Sequence, residues 1–279
     1  TETSAAIVDI GLDTRKNKAT KTNEGRELWE KADGTLKEHG LEITCRMKAK
    51  YQRGRQSVYQ YLRMTSIVNP HADITFEDPD GEVHHWPRVT ERLPRKVESI
   101  KPHPHGIHLG TLQRMCTEST DSRMTSFLYK NFSGVSSRAA KELLAAAEID
   151  EKAKPKSMKP DHIRALLEAF QGERQLNGKP VKLLNPPTNC LSPIEELLIK
   201  KGLSKTIDSR FVTTMTRSPT VSQGNPYQVE VGLIFGDGMA ADKPVEVLRF
   251  ANRVPLMYQQ GGCLLTKAIE SVDWRQYGL

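Results

Sequence analysis

The sequence predicts a mixed α+β chain, and three observations carry that expectation. Strand-like runs lie toward both ends, with Ile43, Cys45 and Met47 alternating with Thr44, Arg46 and Lys48 in the earlier one. A central stretch, residues 109–205, switches to apolar residues at helical spacing. Between them, residues 92–107 hold Leu93-Pro94, Lys101-Pro102 and His103-Pro104, the composition of a rigid connector.

Taken in order, residues 5–14 and 41–50 read as strands separated by a polar, charged stretch from Lys16 to His39. Ser57 is the expected N-cap of a helix whose Val58, Tyr61, Leu62 and Thr65 share a face. Asn69-Pro70 ends it, since the residue before proline disfavours the α region. Residues 72–77 and 83–88 flank Asp78-Pro-Asp-Gly81, a hairpin turn. Phe127, Leu128 and Phe132 make a short apolar element. Ser136 opens a helix with Ala140, Leu143, Leu144 and Ala147 inward; Pro160 opens another, with Ile163, Leu166, Leu167 and Phe170, stopped by Gly172. Ser192-Pro-Ile-Glu195 reads as a capping box for a helix carrying Ile194, Leu197 and Leu198 and closed by Gly202. Residues 212–215, 227–235 and 245–254 return to strand pattern, and 264–272 to helix.

Composition bounds the function classes. An apolar content of 37% beside 27% charged residues is that of a globular protein with no run long enough to cross a bilayer, and no secretory signal opens the chain. A net charge of +7 favours polyanionic partners without establishing one. Cys45, Cys116, Cys190 and Cys263 lie too far apart for a disulfide framework or zinc site and are expected to be reduced, buried thiols of a cytoplasmic protein. Both ends read as cut edges of something longer. His103, His105 and His108 sit in the connector without a carboxylate or cysteine to complete a metal site, so none is expected.

No phosphate-binding glycine loop, nucleophile elbow or acid–base pair is present, and Gly232 to Gly238 reads as a hairpin loop rather than a phosphate cradle. Residues 43–72 contain no acidic side chain but carry Arg46, Lys48, Lys50, Arg53, Arg55 and Arg63. Arg53-Gly54-Arg55-Gln56 falls at a strand-to-helix turn, where guanidinium forks and helix-terminal N–H groups suit phosphate oxygens; an ordinary solvated basic turn is the equal alternative. Trp274-Arg275-Gln276-Tyr277 can stack on bases or sugars while the cation meets a phosphate, or can be a packed aromatic pair with a snorkelling arginine.

Together these segments resemble the B subunit of the type IIB DNA topoisomerases (topoisomerase VI). The matching runs are Arg53-Gly-Arg-Gln-Ser-Val-Tyr-Gln-Tyr-Leu, Thr65-Ser-Ile-Val-Asn-Pro-His-Ala, Pro102-His-Pro-His-Gly-Ile, Leu191-Ser-Pro-Ile, Thr216-Arg-Ser-Pro, Val229-Glu-Val-Gly, Arg249-Phe-Ala-Asn-Arg-Val-Pro-Leu and Asp273-Trp-Arg-Gln-Tyr-Gly-Leu. The resemblance implies the C-terminal part of a GHKL-type ATPase domain at 1–108, a helix–two-turns–helix domain at 109–207 and the start of a βαβ transducer domain at 208–279.

It further implies an ATP-hydrolysing type II DNA topoisomerase. In that family the B subunit dimerises on binding ATP and Mg²⁺ and closes a gate on double-stranded DNA. The transducer relays closure to the A subunit, within a heterotetramer holding two copies of each, for strand passage and supercoil relaxation. The family's basic Lys-Gly-Arg-Arg loop falls on Arg53, Gly54, Arg55 and Gln56, and its Trp-Lys-x-Tyr element on Trp274, Arg275 and Tyr277. Lys200 and Lys201 are added as a DNA surface of the helical part, with a packing role equally open. Leu41 stands where the family's adenine-pocket edge has a threonine. By the family's order the nucleotide-site residues precede residue 1 or follow 279, so this fragment alone is expected to be inactive. The competing expectation is a non-catalytic nucleic-acid-binding scaffold.

Overall fold

The structure, a computed structural model, describes residues 4–13, 15–31, 33–236, 245–257 and 262–278. It mixes helices with small two-stranded sheets and divides into two compact units, residues 1–50 and 51–279.

The first unit is a hairpin of β1 (Ser4–Asp13) and β2 (Lys18–Leu28), antiparallel, with a register shift between Asp9 and Ile10. β2 lies inside the stretch expected to be merely polar and charged. Cross-strand hydrogen bonding needs no apolar alternation, which is why hydropathy hides it. Trp29 follows, donating from Nε1 to Glu42 Oε2 (3.2 Å) beneath the Lys37 ammonium, 4.4 Å from the ring. Gly40 backs onto that indole; a Cβ there would lie 2.8 Å from Trp29 Cη2. The strand expected at 41–50 does not form. Among the described residues it has no ladder partner, and Ile43 and Met47 stand 76% and 71% exposed. Alternation without a partner leaves the backbone unpaired.

In the second unit, α1 (Val58–Val68) starts as expected, with Ser57 Oγ accepting from Gln60 N (3.2 Å), and ends at Asn69. β3 (Ile74–Glu77) and β4 (Val83–Trp86) pair from Ile74↔Trp86 to Glu77↔Val83 around the Asp78–Gly81 turn. Tyr59 of α1 packs edge-on against His84 (centroids 4.6 Å apart) and tilts against Trp86, fastening the hairpin to the helix.

In the connector, His103 is buried. Its Nε2 donates to Leu184 O (3.0 Å) while Nδ1 accepts from His105 N (3.2 Å), so both ring nitrogens are occupied in the neutral tautomer. A helical bundle follows: α2 (Leu109–Glu118), α3 (Met124–Asn131), α4 (Ser137–Ala146) and α5 (Pro160–Phe170). Ser136 caps α4 and Pro160 opens α5 as predicted, and Gly172 turns out of α5 at φ +79°. Phe127, Phe132 and Phe170 interlock edge to face among Leu112, Leu143, Leu144 and Leu166, giving the bundle its own core.

α6 (Glu196–Ser204) corrects three expectations. Ser192 forms no capping box: its hydroxyl donates to Arg95 O (3.0 Å), and the helix starts one residue after Glu195. The amides of Ile194 and Glu195, the ones a Ser192 cap could reach, are taken by a carboxylate distant in sequence, Glu230. Gly202 does not end the helix. It sits inside it because a Cβ there would fall 1.9 Å from Ile67 O of α1. Leu197, expected inward, is 60% exposed, while Leu198, Ile199 and Leu203 are buried against Ile67 and Val68.

β5 (Phe211–Thr216) pairs antiparallel with β8 (Glu230–Phe235), from Phe211↔Phe235 to Thr216↔Glu230. β6 (Thr220–Ser222) and β7 (Asn225–Tyr227) form a separate hairpin, so the run expected as one strand at 227–235 is broken. Gly232 to Phe235, expected in a hairpin loop, lie within β8, Gly236 follows in a bend, and residues 237–238 lie outside the described residues. Of the strand expected at 245–254 only β9 (Phe250–Ala251) and β10 (Val254–Pro255) form, turning at Asn252-Arg253, both in the left-handed region. α7 (Leu264–Glu270) and a single 3₁₀ turn, Trp274–Tyr277, complete the chain. The four thiols correct another expectation: Cys116 is buried, but Cys45 is exposed and Cys190 and Cys263 are half-buried.

Candidate nucleic-acid interface

Arg53 and Arg55 sit where expected, in the turn before α1. Gly54 allows that turn at φ +122°, a region costly for any side chain. Their surroundings differ. Arg53 Nη2 bonds Asp78 Oδ2 (3.1 Å) and Asp80 Oδ2 in the β3–β4 turn. Asp78 is anchored beyond that: its Oδ1 accepts from Glu82 N and Asp80 N, both at 2.9 Å. Those amides, the Glu82 amide first, hold its carboxyl below the usual carboxylate range. A phosphate reaching Arg53 therefore competes with two carboxylates. Arg55 is exposed and makes no ion pair among the described residues, which leaves its fork available. Gln56, standing where the family loop has arginine, is engaged elsewhere, donating from Nε2 to Met257 O (2.9 Å).

The C-terminal cluster is half packed and half exposed. Trp274 Nε1 donates to Ile269 O (3.1 Å), which fastens the indole to the last turn of α7. Its ring lies 6.5 Å from that of Tyr277. Tyr277 is 70% exposed, and Arg275 also points to solvent. Trp274, Tyr277 and Val272 border a shallow apolar recess floored by Phe211, Thr213 and Leu233 of the β5–β8 sheet. The indole thus positions the cluster, and the cation and phenol are what a partner can touch.

Lys200 and Lys201 are exposed on α6 and form no ion pair among the described residues. Strand alternation sets their relation to the aromatic cluster. Thr214, Gly232 and Ile234 share one face of the sheet, and a Cβ at Gly232 would touch Leu203 and Ile199 of α6. Phe211, Thr213 and Leu233 share the other, under the recess. The structure does not bring the lysines and the aromatic turn together; they occupy opposite sides of one sheet.

Sequence reasoning missed the residues that tie these elements together. Arg253 donates from Nη1 to Val68 O (3.3 Å) and from Nη2 to Pro193 O (3.0 Å) and Ser192 O (3.4 Å). Glu230 accepts from Ile194 N (2.8 Å), Glu195 N (2.7 Å) and Thr216 Oγ1 (3.0 Å). One signal was available: a two-residue hairpin turn favours Asn-Gly, and here the second place is arginine.

Asp78, Glu82 and His84 are the one group among the described residues whose donor atoms cluster closely enough for a metal. Asp78 already accepts from two amides and Arg53, so a cation there would compete with three donors. No helix among the described residues is long and apolar enough to cross a membrane.

The fold sets a helix-backed strand pair after a helical bundle that has its own core, which defines the class as a mixed α+β chain of more than one part. The family described as "Topoisomerase VI B subunit, transducer" matches residues 186–279, a span that takes in α6 with the sheet it packs on. Proteins named as B subunits of type 2 DNA topoisomerase 6 are similar along most of the chain. The one from Methanosarcina acetivorans is 44% identical over 261 residues, covering 93% of this chain and 41% of the relative. That from Archaeoglobus fulgidus is 43% identical over 279 residues, covering the whole chain and 44% of the relative. That from Pyrococcus horikoshii is 36% identical, covering 85% and 49%. The chain belongs to the family of topoisomerase VI B subunits, and it spans less than half the length of these relatives.

Proposed function

We propose that this chain is part of the ATP-binding subunit of a type IIB DNA topoisomerase, coupling ATP-driven dimer gating to double-strand DNA passage and supercoil relaxation. The observation that carries the reading is 43% identity over all 279 residues to one such relative, the α1 loop and the C-terminal turn included. In this reading residues 1–108 are the C-terminal part of a GHKL-type ATPase domain, 109–207 a helix–two-turns–helix domain and 208–279 the start of a transducer. The separate core of α2–α5 supports a distinct helical domain.

Arg55 supplies the freer phosphate contact and Arg53 a contact that must first leave Asp78 and Asp80. Arg275 and Tyr277 meet the duplex from the rigid base that Trp274 provides. Lys200 and Lys201 add charge on the far side of the sheet. The partners are double-stranded DNA, a second copy of the B subunit, and the A subunit.

ATP and Mg²⁺ belong to the proposal through residues outside this sequence. Among the described residues, Leu41, where the family's adenine-pocket edge has a threonine, is 82% exposed and has no hydroxyl to offer a nucleotide. The chain alone is accordingly proposed to be inactive.

The test is performed on the full-length parent protein with its A partner: ATP-dependent relaxation of supercoiled plasmid supports the reading. Duplex binding without nucleotide binding or relaxation would favour the scaffold alternative instead.

A further inference from the structure

The segment 192–195 leads into α6 in a strained shape. Glu195 has φ +78°, a region that strains a non-glycine residue and persists only where the surroundings impose it. Two side chains impose it here. The guanidinium of Arg253 takes the carbonyls of Ser192 and Pro193, and the carboxylate of Glu230 takes the next two amides, of Ile194 and Glu195. Successive peptide groups are thus gripped through oxygen on one side and nitrogen on the other.

Each gripping residue also holds a second element. Arg253 reaches Val68 O, at the C-terminal end of α1, where carbonyls without a helical partner attract a cation; Asn69 Nδ2 returns a bond to Arg253 O (3.4 Å). Glu230 opens β8 and accepts from Thr216 at the end of β5. Arg253 adopts φ +64° in a turn where glycine would be unstrained, so its side chain is the evident reason for its presence. The guanidinium therefore serves α1, the carboxylate serves the sheet, and the 192–195 turn lies between them.

We propose that Arg253 and Glu230 are positioning residues whose clasp makes the 192–195 turn the joint between α1 and the β5–β8 sheet. A shift of α1 then carries the sheet with it instead of being absorbed by the turn. The proposal rests on the gating function proposed above, and adds which residues transmit the gate's movement.

The test uses Arg253→Lys and Glu230→Gln in the full-length protein with its A partner. Expected is ATP turnover without DNA near the wild-type rate, while relaxation per ATP hydrolysed falls at least about fivefold, the low end of common coupling energies. The double variant should be little worse than the poorer single, because both break one linkage. Turnover and relaxation falling in the same proportion, or loss of the folded protein in both variants, would assign the pair to stability alone and overturn the proposal. If the wild-type complex itself relaxes no supercoils, the gating function fails, and amide hydrogen exchange decides the clasp separately. Glu230→Gln should then speed exchange at residues 66–69 as well as at Ile194 and Glu195; an increase confined to Ile194 and Glu195 would sink it.

Discussion

Gly202 of α6 passes so close to α1 that a β-carbon would sit 1.9 Å from the carbonyl oxygen of Ile67. Backbone stands on both sides of that contact, so no side chain can turn away to relieve it. Overpacking costs about 1–3 kcal/mol, against at most about 1 kcal/mol that alanine returns as the better helix former. Gly202→Ala is expected to lose about 2 kcal/mol of stability, read from denaturant midpoints. An unchanged midpoint would mean that the two helices are not in contact in solution.

Arg55 and Arg275 are exposed and form no ion pair among the described residues, so in the proposed function they are free to meet phosphates. Arg55→Ala or Arg275→Ala should each shallow the plot of log affinity for duplex DNA against log salt by about 0.9 units, one phosphate contact apiece. Arg53→Ala should shallow it less, because Asp78 and Asp80 already neutralise that guanidinium. Equal slopes for Arg53→Ala and Arg55→Ala would refute that distinction.

Trp274 and Tyr277 should separate by phenotype. Trp274→Phe keeps a ring but loses the bond to Ile269 O, which should cost about 1 kcal/mol of stability. Tyr277→Ala, at an exposed site, should leave the melting temperature in place and weaken DNA binding. The reverse pattern would exchange their roles.

His103 gives the fold a pH dependence of known sign. Burial holds its folded pKa below the ordinary histidine value, with the Leu184 carbonyl opposing and His105 adding to the fall. The unfolded chain therefore binds a proton that the folded one refuses. The stabilisation is complete above the unfolded pKa, about 6.5, and is lost as pH falls from there toward the folded value. The melting temperature of the protein should drop over that interval more than that of His103→Gln. Parallel curves would remove His103 as the cause.

Two cysteines should behave in opposite ways. Burial pushes the Cys116 thiol up to about 11, whereas hydrogen bonds, led by the Thr266 amide, bring Cys263 down to about 6. Iodoacetamide at pH 7, followed by peptide mass spectrometry, should label Cys263 quickly and leave Cys116 unmodified until the protein unfolds. Rapid labelling of Cys116 in the folded state would contradict its burial.

The elements most legible in sequence are those whose signals are local. Ser57, Ser136 and Pro160 announced their helices because a cap needs only the next few residues, and Asp78–Gly81 announced its hairpin in the same way. Where a distant group decides, local reading fails. Ser192 looked like a cap, but Glu230 satisfies the same amides from 35 positions away; Gly202 looked like a terminator, but the constraint comes from Ile67. The candidate contact residues were recognisable by type and order. Their availability was not, since nothing beside Arg53 in the chain foretells Asp78 and Asp80 closing on it.

The two-stranded sheet between Lys200 and Tyr277 acts as a partition. DNA holds its direction over about 150 base pairs, so one relaxed rod lies along a single wall of so thin a divider. Under the proposed function, DNA meeting both walls together would be two separate lengths or one sharply folded length.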